Sequence, residues 1–239
     1  MVNEIYLSLQ GESTWSGLAC IFVRLTACDL RCSYCDTAYA FTDGRKMALT
    51  EVQSQIHKLA KPFESRTESF RLPLVELTGG EPLLQKNSPL LMKRLIDEGF
   101  TVLLETSGAH DISRVDARVH RIMDLKCPSS GEVERNRWEN LKHLTSVDEI
   151  KFVIGTGQDY AWAKDAVTKH QLASICPLLF SWVSPLTLQQ QDKALKKMPD
   201  GRTPISRREL TERIIADALP VRFQVQMHKV IWAPDARGV

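Results

Sequence analysis

Cys28-Asp29-Leu30-Arg31-Cys32-Ser33-Tyr34-Cys35 is the stretch on which the reading of this chain turns. Three thiols spaced C-x3-C-x2-C can converge on one metal centre, because a tight loop turns the sulfurs inward while the intervening side chains point away. The number of thiols matters as much as their spacing. A structural zinc site closes with four ligands, and a ferredoxin-type cluster also takes four thiolates. The next cysteine is Cys127 and the nearest downstream histidine is His57, so no fourth ligand lies close in sequence. A [4Fe-4S] cube held by three thiolates keeps one iron open, as a catalytic centre requires.

Upstream of this loop, residues 20–25 (CIFVRL) form an apolar, β-branched run that reads as a buried strand. The cysteines therefore follow the C-terminal end of a strand, the end at which parallel α/β sheets bind ligands. Arg24 is the one charge in the run and must reach solvent or meet an anion. Before it, the alternating residues 5–9 lead into Gln10-Gly11-Glu12, where Gly11 permits a tight turn between two polar side chains. Read alone, these residues make a solvated turn.

Downstream, Thr50 and Gln53 predict a capping box opening a helix with Val52, Ile56 and Leu59 on one face. Residues 62–71 read as a loop. Leu74-Val75-Glu76-Leu77 is the next strand and ends in Thr78-Gly79-Gly80-Glu81-Pro82, whose glycines bare backbone groups for close approach by a ligand. Ser88 and Pro89 predict the N-cap and first residue of a helix that carries Leu91, Leu95 and Ile96 and stops at Gly99. Further strands are predicted over 100–104, 121–125, 150–154, 177–183 and 221–225. Helices are predicted near 138–144 and 160–170, and a last one is capped by Ser206 with Glu209 and carries Leu210, Ile214 and Ile215.

Strand followed by helix, repeated about seven times with polar strand ends collecting on one side, predicts an α/β fold in which a parallel sheet curves into a partial (β/α) barrel. The length suits a single domain over 1–239. Residues 189–203, rich in Gln, Lys and Pro, are a loop insert, either a solvated loop or a substrate lid.

A hydrophobic fraction of 43% supports a full core, and 31 basic against 29 acidic residues leave a net charge of +2. That balance gives no global attraction to nucleic acid or to an anionic membrane, so small-molecule partners are expected. Met1-Val2-Asn3-Glu4-Ile5 has no basic or apolar leader region, and no stretch approaches the roughly 20 apolar residues of a spanning helix. Of six cysteines three are clustered, which favours metal ligation in a reducing compartment, and a cytoplasmic location is expected. Cys20 and Cys176 fall in apolar strands and belong to the core. Cys127 reads as a buried thiol, with a second redox role as the alternative. His57, His143 and His170 read as surface or packing residues. Lys126 and Lys151, at strand ends, either face the pocket or snorkel to solvent.

The cysteine loop resembles the signature of the radical S-adenosylmethionine superfamily, C-x3-C-x-aromatic-C, with Tyr34 as the aromatic. Residues 78–82 resemble the GGEP motif of the same superfamily. The resemblance implies a [4Fe-4S] cluster on Cys28, Cys32 and Cys35 and S-adenosylmethionine on the open iron. It places Tyr34, Cys35, Asp36, Gly79, Gly80, Glu81, Ser107, Lys126, Cys127, Pro128, Ser129 and Ser184 in the cofactor pocket, with the backbone and carboxylate of the GGEP motif on the methionine amino group.

Within that superfamily, Leu9-Gln10-Gly11-Glu12, Arg24, Cys35-Asp36-Thr37 and the tail from Gln226-Met227-His228-Lys229 to Arg237-Gly238-Val239 resemble the 7-carboxy-7-deazaguanine synthase family of queuosine and deazapurine biosynthesis. This implies a lyase that contracts the ring of 6-carboxy-5,6,7,8-tetrahydropterin with loss of ammonia, through a 5′-deoxyadenosyl radical that takes hydrogen from C6 and later recovers it. Leu9, Gln10, Gly11, Glu12 and Thr78 would contact the pterin, Arg24 its carboxylate, and His228 or the Val239 carboxylate the far side, with Thr37 on a Mg2+ ion. The resemblance further implies a flavodoxin or ferredoxin as electron donor, and a homodimer. Two other readings stay open at this stage: a glycyl-radical activating enzyme with a large protein partner, and a non-enzymatic iron-sulfur or zinc module. The missing fourth ligand argues against the second, and Gln10-Gly11-Glu12 with Thr37 against the first.

Overall fold

Side chains alternate between the two faces of a strand, and that alternation separates the core of this protein from its site. The computed structural model describes residues 1–63 and 72–239, so most of the expected loop at 62–71 lies outside the described residues. Strands β1 (Val2–Leu9), β2 (Ala19–Leu25), β3 (Leu74–Gly79), β4 (Val102–Thr106), β5 (His120–Asp124), β6 (Glu149–Ile154), β7 (Leu178–Trp182) and β8 (Arg222–Gln224) form one eight-stranded sheet in sequence order. From β2 to β8 every pairing is parallel. The sheet curves without closing, and the expected partial (β/α) barrel is the result. Side-chain bonds bridge the gap: Ser13 donates its N–H to Gln224 Oε1 (3.0 Å) and accepts from Gln224 Nε2 at its carbonyl (2.7 Å).

On β2, β3, β4 and β6 the outward residues Ile21, Val23, Val75, Leu77, Val102, Leu104, Ile150 and Phe152 belong to one buried cluster. They share it with Val52 and Ile56 of helix α1 (Leu49–Ala60), Leu91 and Leu95 of α2 (Ser88–Asp97), and Ala163 and Val167 of α3 (Gly157–Lys169). Each large side chain so buried contributes about 1.5–3 kcal/mol. The inward residues change character along the strands. Cys20, Phe22, Leu74, Leu103 and Ile122, with Tyr6 and Trp15 against them, form an apolar layer inside the N-terminal end of the barrel. Above it, in the strand direction, stand Arg24, Glu76, Glu105, Asp124, Lys151 and Ser181, all facing one cavity. An apolar floor beneath a charged rim is the feature that positions the site.

Several local expectations need correction. The strand-helix repeat is not uniform: β1 runs antiparallel to β2, with Leu9 opposite Ala19, because the connection between them is too short for a parallel crossover. No α-helix joins β4 to β5 or β5 to β6, and the expected helix at 138–144 is a 3-10 turn, Trp138–His143. The Thr50/Gln53 box is absent, since α1 starts at Leu49 behind Ala48 with no side-chain cap. On α2 the cap falls at Asn87, while the Ser88 hydroxyl donates to the Pro82 and Gln85 carbonyls; Gly99 does follow the helix in the left-handed region, at φ 84°. The full capping box is on α3, between Thr156 and Asp159. In α4 (Arg207–Ala216) Ser206 accepts from the Glu209 N–H at 3.1 Å and Leu210 and Ile214 are buried, but Ile215 is 72% exposed. A short helix, α5 (His228–Ile231), was not anticipated.

Candidate active site

The cysteine loop leaves the end of β2 and is gripped from three sides. The end of β3 lies against it, with Gly80 N–H donating to the Leu25 carbonyl (2.9 Å) and Glu81 N–H to that of Ala27 (2.8 Å). A Cβ on Gly80 would sit 2.0 Å from the Ala27 carbonyl oxygen, so only glycine permits this approach. On the second side Ser33 donates its N–H to the Ser130 carbonyl (3.0 Å) and its hydroxyl to that of Ser129 (2.6 Å), while Arg31 N–H reaches Glu132 (2.7 Å). On the third, Lys196 of the 189–203 segment donates its N–H to the Arg31 carbonyl (2.9 Å).

Cys28, Cys32 and Cys35 are free thiols and all line the same cavity. Burial pushes Cys28 and Cys35 up to about 11 and raises Cys32 as well, while the Lys126 ammonium pulls the other way on Cys28 and Cys32. Coordination to a cationic cluster would reverse that balance, binding the thiolates and releasing their protons. Among the described residues no His, Cys, Asp or Glu side chains are drawn into a tight metal-ligand group. The fit to a cluster rests on the donor set, three thiols facing one cavity. Tyr34 lines the cavity, while its hydroxyl is buried and has no hydrogen-bond partner among the described residues.

The cavity has a volume of about 580 Å³, within the range of small-molecule sites. Leu9, Gln10, Gly11, Glu12, Arg24, Cys28, Cys32, Tyr34, Cys35, Asp36, Thr37, Thr78, Gly79, Gly80, Ser107, Lys126, Ser184, His228 and Val239 all line it. Glu81, Cys127, Pro128 and Ser129 are not among the lining residues, and Glu81, Cys127 and Ser129 have contacts within the protein. The fully buried Glu81 carboxylate accepts from Leu83 N–H (2.9 Å), the Thr106 hydroxyl (2.9 Å) and Ser107 N–H (2.7 Å), tying β3 to β4. Cys127 is buried in the outer core, with burial holding its thiol protonated. Ser129 donates its N–H to Asp159 and offers its carbonyl to Ser33, so this turn supports the cysteine loop from behind.

Ion pairs dominate the rim. Lys151 bonds Glu105, reaches Glu12 at 3.4 Å and lies 3.6 Å from Asp124, while Lys126 pairs with Asp124. Burial pulls both lysines down, but the surrounding anions together outweigh it, Asp124 with Cys32 at Lys126 and Asp124 with Glu105 and Glu12 at Lys151, so both are raised. Both therefore face the pocket as cations. Burial, with Glu105 nearby, pushes the Glu76 carboxyl well above the usual range. Glu76 accepts from the Gln10 amide, and Gln10 Oε1 in turn accepts from Glu12 N–H (2.7 Å), so both ends of that amide are engaged inside the protein. Glu12 also takes a hydrogen bond from Ser181 (2.9 Å). Arg24 meets its anion in Glu4 (2.7 Å) and donates to the Tyr6 hydroxyl (2.8 Å). Thr78 donates to Glu105 (3.0 Å).

Residues 23–129 match the sequence profile of the Radical SAM superfamily. A 7-carboxy-7-deazaguanine synthase of Koribacter versatilis is 42% identical over 245 residues, spanning 100% of this chain and 99% of its own length. The chain belongs to the 7-carboxy-7-deazaguanine synthase family. Another synthase of that name, from Chlorobaculum tepidum, is 39% identical over 100% of this chain and 96% of its own. The fold agrees: QueE from Escherichia coli superposes with a TM-score of 0.66 at 20% identity, over 95% of this chain and 93% of that one. Streptococcus suis SuiB bound to S-adenosylmethionine shares the fold at TM-score 0.58 and 16% identity, over 85% of this chain and 49% of its own. Full-length membership in the synthase family displaces both the activating-enzyme and the zinc-module readings.

Sequence reasoning missed Tyr6, Glu76, Glu105, Asp124, Ser181, Gln226 and Lys229 as lining residues of this synthase-family cavity. A signal was present for one. Glu76 is a single charge inside an apolar strand run, and period-two spacing puts it on the same face as Thr78.

Proposed function

We propose that this protein converts 6-carboxy-5,6,7,8-tetrahydropterin to 7-carboxy-7-deazaguanine with release of ammonia. The observation that carries the proposal is the convergence of the cysteine loop, the Gly79-Gly80 pair and the Gln10-Gly11-Glu12 turn on one cavity. When bound, a [4Fe-4S] cluster and S-adenosylmethionine supply the one-electron chemistry of the ring contraction. Cys28, Cys32 and Cys35 would hold the cluster. The backbone of Gly79 and Gly80, with Tyr34, Ser107 and Ser184, would line the place of the cofactor.

The charged rim is where this chain acts on the pterin. Arg24 has N–H groups beyond those given to Glu4 and Tyr6, and these are its means of holding the substrate carboxylate. Glu12 is held by Ser181 and Lys151 with its backbone fixed by Gln10, so its carboxylate is set in place to receive ring N–H donors. Tail residues and residues 189–192 cover the mouth and exclude water. Thr37 offers one neutral oxygen to a Mg2+ ion, whose remaining ligands would come from substrate and water. An external one-electron donor of the flavodoxin or ferredoxin kind, a homodimeric state and a cytoplasmic location complete the proposal; no helix among the described residues is long and apolar enough to cross a membrane.

Anaerobic reconstitution followed by reduction and addition of S-adenosylmethionine, Mg2+ and the tetrahydropterin tests this by mass spectrometry. The expected product is 7-carboxy-7-deazaguanine, absent with Cys32→Ala. Cleavage of the cofactor with the pterin untouched would mean the substrate is wrong.

A further inference from the structure

The tail that follows β8 lines the cavity and is anchored at four points. Met227 donates its N–H to the Gly11 carbonyl (3.0 Å), and His228 packs so closely on Gly11 that an added Cβ there would lie 2.8 Å from His228 Nδ1. Gln190 donates to the Pro234 carbonyl (2.9 Å), and the Arg237 guanidinium lies 3.9 Å from the centre of the Tyr39 ring. The remaining anchor is ionic. Lys229 Nζ lies 2.5 Å from Asp36 Oδ2, which also accepts from Gln226 Nε2 (3.2 Å), and the Lys229 side chain is only 6% exposed. Its neighbours Val230 and Ile231 point to solvent, at 69% and 49% exposure.

Asp36 stands between Cys35 and Thr37, and Lys229 stands beside His228. The pair thus joins the loop that offers the cluster thiols to the segment that closes over the substrate. A largely buried ion pair adds little stability compared with apolar residues of the same shape, yet removing one partner is strongly felt. Such a contact specifies a register between two segments more than it holds a fold together.

We propose that Asp36 and Lys229 are positioning residues, which lock the closed tail, and with it His228, onto the cysteine loop. Substrate capture and the placement of Cys35 and Thr37 then occur as one event. This role rests on the proposed function. The cavity stays covered while the cofactor reacts only if the tail is latched, so loss of the latch opens the mouth and separates cofactor cleavage from product formation.

Hydrogen exchange of residues 226–239, followed by mass spectrometry on the full chain without cluster or substrate, tests the latch. Lys229→Met and the near-isosteric Asp36→Asn should each exchange there roughly tenfold faster or more, with far-UV circular dichroism unchanged and Lys229→Arg near wild type. In the reconstituted enzyme the same two variants should show a KM for the pterin raised at least about tenfold and more cofactor cleaved per product formed. Unchanged tail exchange in both variants overturns the latch, as does an equal fall in kcat with KM and the cleavage ratio unmoved. The exchange result needs no turnover, so a wild-type chain that makes no product while its variants exchange faster identifies the substrate assignment as the failure, and with it the role in capture.

Discussion

Glu76 shows how one buried side chain sets the geometry of the site. It is 1% exposed, burial with Glu105 nearby pushes its carboxyl well above the usual range, and it receives the Gln10 amide that fixes Glu12. Glu76→Gln keeps the shape and an oxygen that can accept from Gln10, in the direction of the neutral form that burial favours, and thermal unfolding should find it close to wild type. Glu76→Leu leaves the Gln10 amide without its partner and should cost about 1–3 kcal/mol while raising the KM for the pterin.

His228 is the second residue with a checkable sign. Burial depresses it below its ordinary 6.5, and it faces Glu12, Asp36, Lys229 and Arg24. The closed tail therefore favours the neutral ring. Its contribution is present above 6.5 and is lost as the pH falls through the depressed value, because the open tail binds the proton first. KM for the pterin should rise on acidification in wild type, and that rise should flatten in His228→Asn.

At the scale of the element, the Gly79-Gly80 pair joins β3 to the cysteine loop. The sequence marks both glycines as backbone laid bare for a ligand, and they do line the cavity, but the tighter constraint is the carbonyl of Ala27 behind Gly80. Gly80→Ala should lower the melting temperature and the iron bound per chain together, since the loop must move to admit the Cβ. Iron content unchanged from wild type would mean that the loop is held by other contacts.

What was legible in the sequence follows from the same physics. Strand positions were readable because β2, β3, β6 and β7 are apolar runs bounded by turn residues, and the cysteine loop because its spacing is local. The absence of helices between β4 and β6 was not readable, since short polar segments with scattered Trp138 and Leu141 mimic a helical face while forming a 3-10 turn. Asp124, Glu105 and Lys229 escaped because their roles depend on strands and a tail brought together from distant parts of the chain. Glu81, Cys127, Pro128 and Ser129 adjoin the motifs in sequence without lining the cavity, and the hydrogen bonds of Glu81 and Ser129 and the core packing of Cys127 are contacts that no local spacing foretells.

For the molecule as a whole, the barrel divides its interior by height, apolar where β2 to β5 begin and ionic where they end. The cysteine loop, the Gln10-Gly11-Glu12 turn and the tail all meet above the ionic rim. The central claim is that three thiols there hold a cluster whose open position faces the cavity. Iron and sulfide counting after anaerobic reconstitution, with electron paramagnetic resonance of the reduced protein before and after S-adenosylmethionine is added, tests it most directly. About four irons per chain, a signal that changes on addition of the cofactor, and loss of both in Cys32→Ala are the results predicted. A single tightly held metal per chain, or a cluster signal indifferent to S-adenosylmethionine, would contradict the account.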